Sequence, residues 1–332
     1  MPVTMRDVAR KADVSIKTVS RVVNNQGEIS EATRQRVLAA IEELGYRPSK
    51  LARALVTQRT CTVGLVVGDI TNPFFPEVAR GAQDVAQAQG YNVFLCNTDG
   101  DPQQELDMLQ SLADHGVDGI IVYPSYDSEA NLTAFATQYQ PLVVINYPFE
   151  YPGVSQVIVD NYRGARLAVD YLVGKGHTAI GMLTGIEDPS SESVRRIQGF
   201  CDGLAAHGLP IVDDWIVPSH DPTFESGYEA TRQLLSRYSQ ISAIFAYNDL
   251  LALGAIRACN DLACKIPGQC AIVGFDDIQW AATSTPSLTT IRIDKYELGR
   301  QAMTRLLAML EDSQGTFPPI YLDVELIGRE SA

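Results

Sequence analysis

The chain has 332 residues and a formal net charge of -14, too long for one ordinary domain and long enough to bury two large cores beside a smaller unit. The charge is unevenly placed: residues 1–59 carry 11 Lys and Arg against 6 Asp and Glu, while residues 60–332 carry 15 against 34. An acidic body repels nucleic acid, so any contact with DNA is restricted to the basic N-terminal end. The six cysteines form no Cys-x-x-Cys pair, no charged-then-apolar leader opens the chain, and no apolar run approaches ~18 residues. These features predict a cytoplasmic protein with buried, reduced thiols, no membrane partner, no metal and no cofactor.

The first helix opens at Thr4 as N-cap with Asp7 at the third helical position, and turns Val8 and Ala9 toward a core. Asp13 breaks the pattern. Ser15 then caps a second helix in which Val19, Val22 and Val23 recur at helical spacing, leaving Lys17, Thr18, Ser20 and Arg21 outward. Helix, tight turn, helix suits the B-DNA major groove, where Lys or Arg donates to guanine and an apolar group meets the thymine methyl. Ile16, Lys17 and Arg21 are the candidate base readers, and Thr4, Ser15, Thr18, Ser20 and Asn24 the candidate phosphate contacts. The alternative on these residues alone is a solvated surface helix. A third helix follows Ser30 as N-cap, with Glu31 in its first turn and a stripe of Val37, Leu38, Ile41 and Leu44 ending at Gly45.

The run Val-Ala-Arg-Lys-Ala-Asp-Val-Ser-x-x-Thr-Val-Ser-Arg-Val-Val-Asn, then Ser-x-x-Thr-Arg-x-x-Val, then Gly-Tyr-Arg-Pro-Ser, resembles the lactose-repressor/galactose-repressor family of bacterial transcription regulators. The resemblance implies a small all-α helix-turn-helix headpiece over 1–46 and a hinge over 47–60. It also implies a periplasmic-binding-protein-like α/β core over 61–332. In the hinge it implies that Leu51, Ala52 and Leu55 reach the minor groove, with Leu55 as the wedge each subunit of a homodimer inserts at the centre of a pseudopalindromic operator. The alternative for Leu51 and Leu55 is a linker helix packed on the core.

From residue 62 short apolar strands alternate with amphipathic helices, which predicts two doubly wound parallel sheets covered on both faces. Strands are expected over 63–67, 92–96, 119–123 and 142–145, then over 179–183, 215–217, 242–246 and 270–274, with a further helix over 294–310 and a final strand over 320–326. The resemblance, not the periodicity, implies that the chain crosses between subdomains three times. One subdomain then takes about 61–160 and 292–319, the other about 161–291 and 320–332.

Ligands of such sheets bind beyond the carboxyl ends of the strands. Asn72, Phe74 and Phe75 follow the first strand, Asn146 and Tyr147 the fourth, and Arg196, Asn248 and Asp276 lie in the second half. Aromatic faces cover the C–H side of a sugar while Arg, Asn and Asp bond its hydroxyls. The resemblance implies effector binding at Phe74, Arg196, Asn248 and Asp276, and sugar contacts at Asn72 and Phe75. Otherwise the two phenylalanines are helix-start core, and Asn248 and Asp276 are N-caps. Sugar-binding relatives of the ribose type carry Asp-Arg where this chain has Asn146-Tyr147, and many relatives carry an aromatic where it has Pro222. A simple pentose is thus disfavoured, and Tyr147 or Phe224 is expected to supply the missing face.

No nucleophile elbow, dinucleotide fingerprint, phosphate loop or zinc motif is present, and the histidines at 115, 177, 207 and 220 have no partners at ligand spacing. The expectation is a non-enzymatic, homodimeric transcriptional repressor of a carbohydrate-use operon, controlled by a sugar-like effector between the core subdomains. The alternatives are a purine, nucleoside or protein corepressor as effector, and, less favoured, a sugar-transport component.

Overall fold

The computed structural model describes residues 3–23, 27–46, 59–185, 192–219 and 221–332. It divides into two units, one ending at Cys61 and one beginning at Thr62.

The N-terminal unit holds α1 (Met5–Lys11), α2 (Ile16–Val23) and α3 (Glu31–Leu44). Val8, Val19 and Val37, one from each helix, are fully buried together. The Asp7 carboxylate accepts from the Thr4 amide at 3.0 Å and from its hydroxyl at 2.7 Å, which starts α1. Asp13, at φ 51°, makes the turn, and the Thr18 N–H donates to Ser15 Oγ at 3.1 Å, starting α2. α3 stops at Gly45 in the left-handed region, where a side chain would be strained. The expected stripe on α3 needs correction: Leu38 is 43% exposed, and Ala40 takes the buried place beside Val37.

The larger unit contains two six-stranded sheets. The first has the order β11-β5-β4-β3-β1-β2, with β1 Thr62–Val67, β2 Asn92–Asn97, β3 Gly119–Val122, β4 Leu142–Ile145, β5 Val154–Val159 and β11 Ile320–Leu322. The second has the order β12-β10-β9-β8-β6-β7, with β6 Ile180–Thr184, β7 Ile216–Pro218, β8 Ala243–Ala246, β9 Ala271–Asp276, β10 Thr289–Ile293 and β12 Val324–Ile327. All neighbours are parallel except β10 with β12. The central strands are buried on both faces, as parallel sheets between helix layers must be.

Two strands, β5 and β10, were not expected. The expected single strand over 320–326 is two strands: β11 completes the first sheet and β12 the second, with Asp323 between them. Residues 320–322 therefore do not belong with the second sheet. The cause is pairing: Ile320 and Leu322 find parallel partners in Val157 and Val159, whereas Val324 pairs antiparallel with Ile293.

Helix α4 (Phe74–Ala88) covers the first sheet and meets α12 (Lys295–Glu311) at very close range. A Cβ on Gly81 would overlap the Tyr296 carbonyl, and one on Gly299 the Val78 carbonyl, so glycine at both positions lets the backbones touch. Of the six cysteines, all free, only Cys259 and Cys270 are buried and the other four are half-buried, short of the full burial expected.

Candidate DNA-reading helix and effector cleft

On α2, Ile16 is 45% exposed while Val19 and Val22 are buried behind it. Lys17 and Arg21 are exposed on the outer face. An apolar knob and two cations on one helix, with its N-terminus bare of acids, have the chemistry for base edges in a major groove. The hydroxyls of Ser15 and Thr18 lie 2.9 Å apart, and that of Thr4 is bonded to Asp7, whose pKa is lowered mainly by that bond. Asn24 and the hinge residues Leu51, Ala52 and Leu55 lie outside the described residues.

The carboxyl ends of both sheets line a cavity of about 220 Å³. Asn72, Phe74, Phe75 and Tyr147 reach it from the first sheet. Phe74 and Phe75 meet edge to face at 5.3 Å, and Tyr123 at the end of β3 meets them at 5.9 and 5.2 Å. This aromatic wall rests on α4, which begins when Asn72 Oδ1 accepts the Phe74 N–H at 3.0 Å.

Opposite stands Arg196 on α8 (Glu192–Ala206), only 2% exposed. Its Nε donates to Asn161 Oδ1 at 2.9 Å, a terminal nitrogen donates to the Tyr247 carbonyl, and the other lies 3.7 Å from Asp276 Oδ1. The guanidinium also stacks at 3.8 Å over Phe275 and 4.4 Å over Tyr247. Burial works against its charge, but Tyr247, Asp276 and Glu192 outweigh burial and raise its pKa. Burial also works against the charge of Asp276, whose pKa is pushed up to about 7 despite Arg196 and Lys295. Asn248 caps α10 (Asp249–Asp261) by accepting the Leu251 N–H at 2.9 Å, and donates to the Pro222 carbonyl at 3.1 Å. It is an N-cap and a cavity wall at once.

Glu192 spans the cleft. Its Oε1 accepts from Tyr123 at 3.2 Å on one side and from Tyr247 at 2.6 Å on the other. Burial, then the Glu192 charge, lift the pKa of both tyrosines well above the phenol range, so both remain donors.

Two expected contacts are corrected. Asn146 stands behind the cavity: it donates to the Tyr123 hydroxyl at 2.9 Å and accepts from Asn161 at 2.8 Å, because its left-handed backbone at φ 54° turns the amide inward. Phe224 does not line the cavity either. As first residue of α9 (Phe224–Arg237) it is 39% exposed, and Pro222 takes its place in the wall. Unforeseen wall residues are Asp69, Asp99, Tyr123, Glu192, Asp221 and Tyr247. Asp69, Asp99, Tyr123 and Tyr247 lie one or two residues past the ends of β1, β2, β3 and β8, where strand-end position alone points at the cleft, whereas Glu192 is on a helix and Asp221 in a loop.

Residues 4–49 match the description of bacterial regulatory proteins of the lacI family, and residues 60–320 that of periplasmic binding proteins and the sugar binding domain of the LacI family. The chain belongs to the LacI family. It is 38% identical to the ribose operon repressor of Escherichia coli over 92% of each chain. It is 33% identical to the HTH-type transcriptional repressor PurR of Photobacterium profundum over 99% of this chain and 98% of that one. The lac repressor dimer bound to operator and an anti-inducer superposes with a TM-score of 0.88 at 27% identity, over 100% of this chain and 99% of that one. As a LacI-family member the chain is a DNA-binding regulator with a small-molecule-binding core, not an enzyme. Among the described residues, no helix is long and apolar enough to cross a membrane.

Proposed function

We propose that the protein is a homodimeric repressor of carbohydrate-use genes and that a neutral sugar in the cleft controls its affinity for a pseudopalindromic operator. The observation that carries this reading is the make-up of the cavity. Three edge-to-face aromatic rings face a buried guanidinium, an amide and carboxylates. Rings cover the apolar side of a sugar, and the polar groups replace the water its hydroxyls lose. Charge narrows the class. Among the described residues, Asp69, Asp99, Glu192, Asp221 and Asp276 line the cavity against one cation, Arg196, so a phosphate or sugar acid meets net repulsion. A volume of about 220 Å³ lies below the roughly 300–1,000 Å³ of drug-sized sites and favours a small sugar.

The dimer is supported by geometry, since one headpiece buries too little surface for tight specific binding and two read paired half-sites. In this reading Ile16, Lys17 and Arg21 read bases, Thr4, Ser15, Thr18, Ser20 and Asn24 hold phosphates, and Leu51, Ala52 and Leu55 meet the minor groove. Effector and operator each weaken or strengthen the other by one coupling factor.

The test is thermal unfolding of the full chain against neutral mono- and disaccharides, their phosphates, and purines. A ligand at a hundredfold excess over its Kd adds about 2.7 kcal/mol. Stabilisation by a neutral sugar, with a matching change in operator affinity, is the expected result. A response confined to purines or to phosphorylated sugars overturns the reading.

A further inference from the structure

The chain passes from the second sheet to the helices of the first between Ile293, which ends β10, and Lys295, which begins α12. Asp294 caps α12 by accepting the Glu297 N–H at 2.9 Å. Lys295 points back the way the chain came. Its side chain is 4% exposed, and the ammonium donates to three carbonyls: Asp276 at 2.7 Å, Asp277 at 2.8 Å and Ile293 at 3.4 Å. Among the described residues the nearest carboxylate is Glu77 in the first turn of α4, at 3.8 Å.

Burying an ammonium costs heavily unless its donors are satisfied, and a methionine would fill the same space without that cost. What the charge does here is hold backbone. Asp276 and Asp277 are consecutive non-glycine residues with positive φ, 108° and 54°, a conformation that persists only where its surroundings impose it. Asp277 is held by its side chain, to Arg292 at 2.7 Å and Arg329 at 2.6 Å. Asp276 has its side chain in the cleft, 3.7 Å from Arg196; it ends β9 in register with Arg292 of β10, and its carbonyl is the one that Lys295 takes at 2.7 Å.

We infer that Lys295 is a positioning residue: it fixes the backbone that aims Asp276 into the cleft and ties that strand end to α12 and, through it, to α4, whose first residues Phe74 and Phe75 form the opposite wall. A change at Asp276 is thereby passed across the crossover to the other half of the core. The inference rests on the cleft reading above in taking Asp276 as an effector contact.

The experiment needs no effector, so its failure is separate from failure of the sugar reading. Amide hydrogen exchange is measured on the full-length protein, on Lys295→Met and on the conservative Lys295→Arg. In Lys295→Met, amides at 277–279, in the first turn of α12 and in the first turn of α4 are expected to exchange at least tenfold faster, with β1, β3 and β8 at wild-type protection. A fold defect would instead speed all of them, and that outcome overturns the proposal. Lys295→Arg keeps the charge but cannot place one compact ammonium among three carbonyls, and is expected to fall between. Wild-type exchange in Lys295→Arg, or acceleration in either variant confined to the α12 turn, also overturns it. If Lys295→Met fails to fold, Lys295→Arg decides by the same criteria.

Discussion

Asp276 and Asp277 are consecutive residues at the end of β9 whose carboxyls are driven in opposite directions. Burial raises Asp276 to about 7. Asp277 is opposed by burial too, yet its bonds to Arg292 and Arg329 win and lower its pKa. One carboxyl faces the cleft and the other is tied to Arg292 on β10 and to Arg329 just after β12.

A raised folded-state pKa means that the native state binds the proton more tightly than the unfolded chain. Asp276 therefore contributes stability that is complete below about pH 4 and is lost as pH rises through about 7. Asp277, being lowered, contributes stability present above about pH 4 and lost as pH falls through its depressed pKa. As pH rises from 4.5 to 7.5 the stability difference between Asp276→Asn and wild type is expected to move in the variant's favour by roughly 1–4 kcal/mol, at about 1.4 kcal/mol per unit, on top of a pH-independent cost of leaving Arg196 without its carboxylate. Urea unfolding across that range checks it, and parallel curves for variant and wild type contradict it.

Arg196 faces the same carboxyl from 3.7 Å, and both side chains are buried. Removing one member of a buried pair leaves the other uncompensated, at a cost of about 3–5 kcal/mol. Arg196→Met is expected to lose that much at pH 8 and distinctly less at pH 5, where Asp276 takes a proton. A loss independent of pH would assign the effect to the bonds with Asn161 and Tyr247 instead.

Where α4 and α12 touch, Gly81 has the Tyr296 carbonyl against its Cα. Gly81→Ala gains about 1 kcal/mol of helix propensity but must push two backbones apart. The expected net is a loss of about 1–3 kcal/mol, read as a lower urea midpoint. An unchanged or raised midpoint would mean that the helix pair yields freely.

For the headpiece, Arg21→Ala and Lys17→Ala are each expected to cost about 1–3 kcal/mol at one base pair per half-site and to relax choice there. Binding measured on a set of single-base operator variants distinguishes this from a uniform loss, which would make both residues phosphate contacts.

Much of the architecture was legible because buried parallel strands and amphipathic helices leave strong periodicities, and the parts that were missed lack them. β10 opens with Thr289 and Thr290, buried yet polar. The Thr289 amide donates to Ser331 Oγ at 2.8 Å, and the Thr290 hydroxyl to Asp249 at 2.5 Å. β5 buries Ser155 and Gln156, the latter donating to the Phe149 carbonyl. Polar residues satisfied by distant partners read locally as loop. The site behaves in the same way. Phe74, Arg196, Asn248 and Asp276 stood out by type and position, whereas the role of Glu192 exists only once Tyr123 and Tyr247 face it from two different sheets. Asn146 misled because a left-handed backbone cannot be read from an amide after an apolar strand.

The division of residues 320–327 between the two sheets has a consequence for biosynthesis. The first sheet lacks its edge strand until Leu322 has been made, and the second lacks its antiparallel strand until Ile327 has. Neither half of the core can be completed on the ribosome before nearly all of it has been translated, although α1, α2 and α3 are available from the start. Such distant closure slows folding and leaves unpaired strand edges exposed meanwhile. A nascent chain stalled between residues 293 and 320 would thus present a finished helix-turn-helix attached to two unfinished sheets, a species for chaperones rather than for an operator.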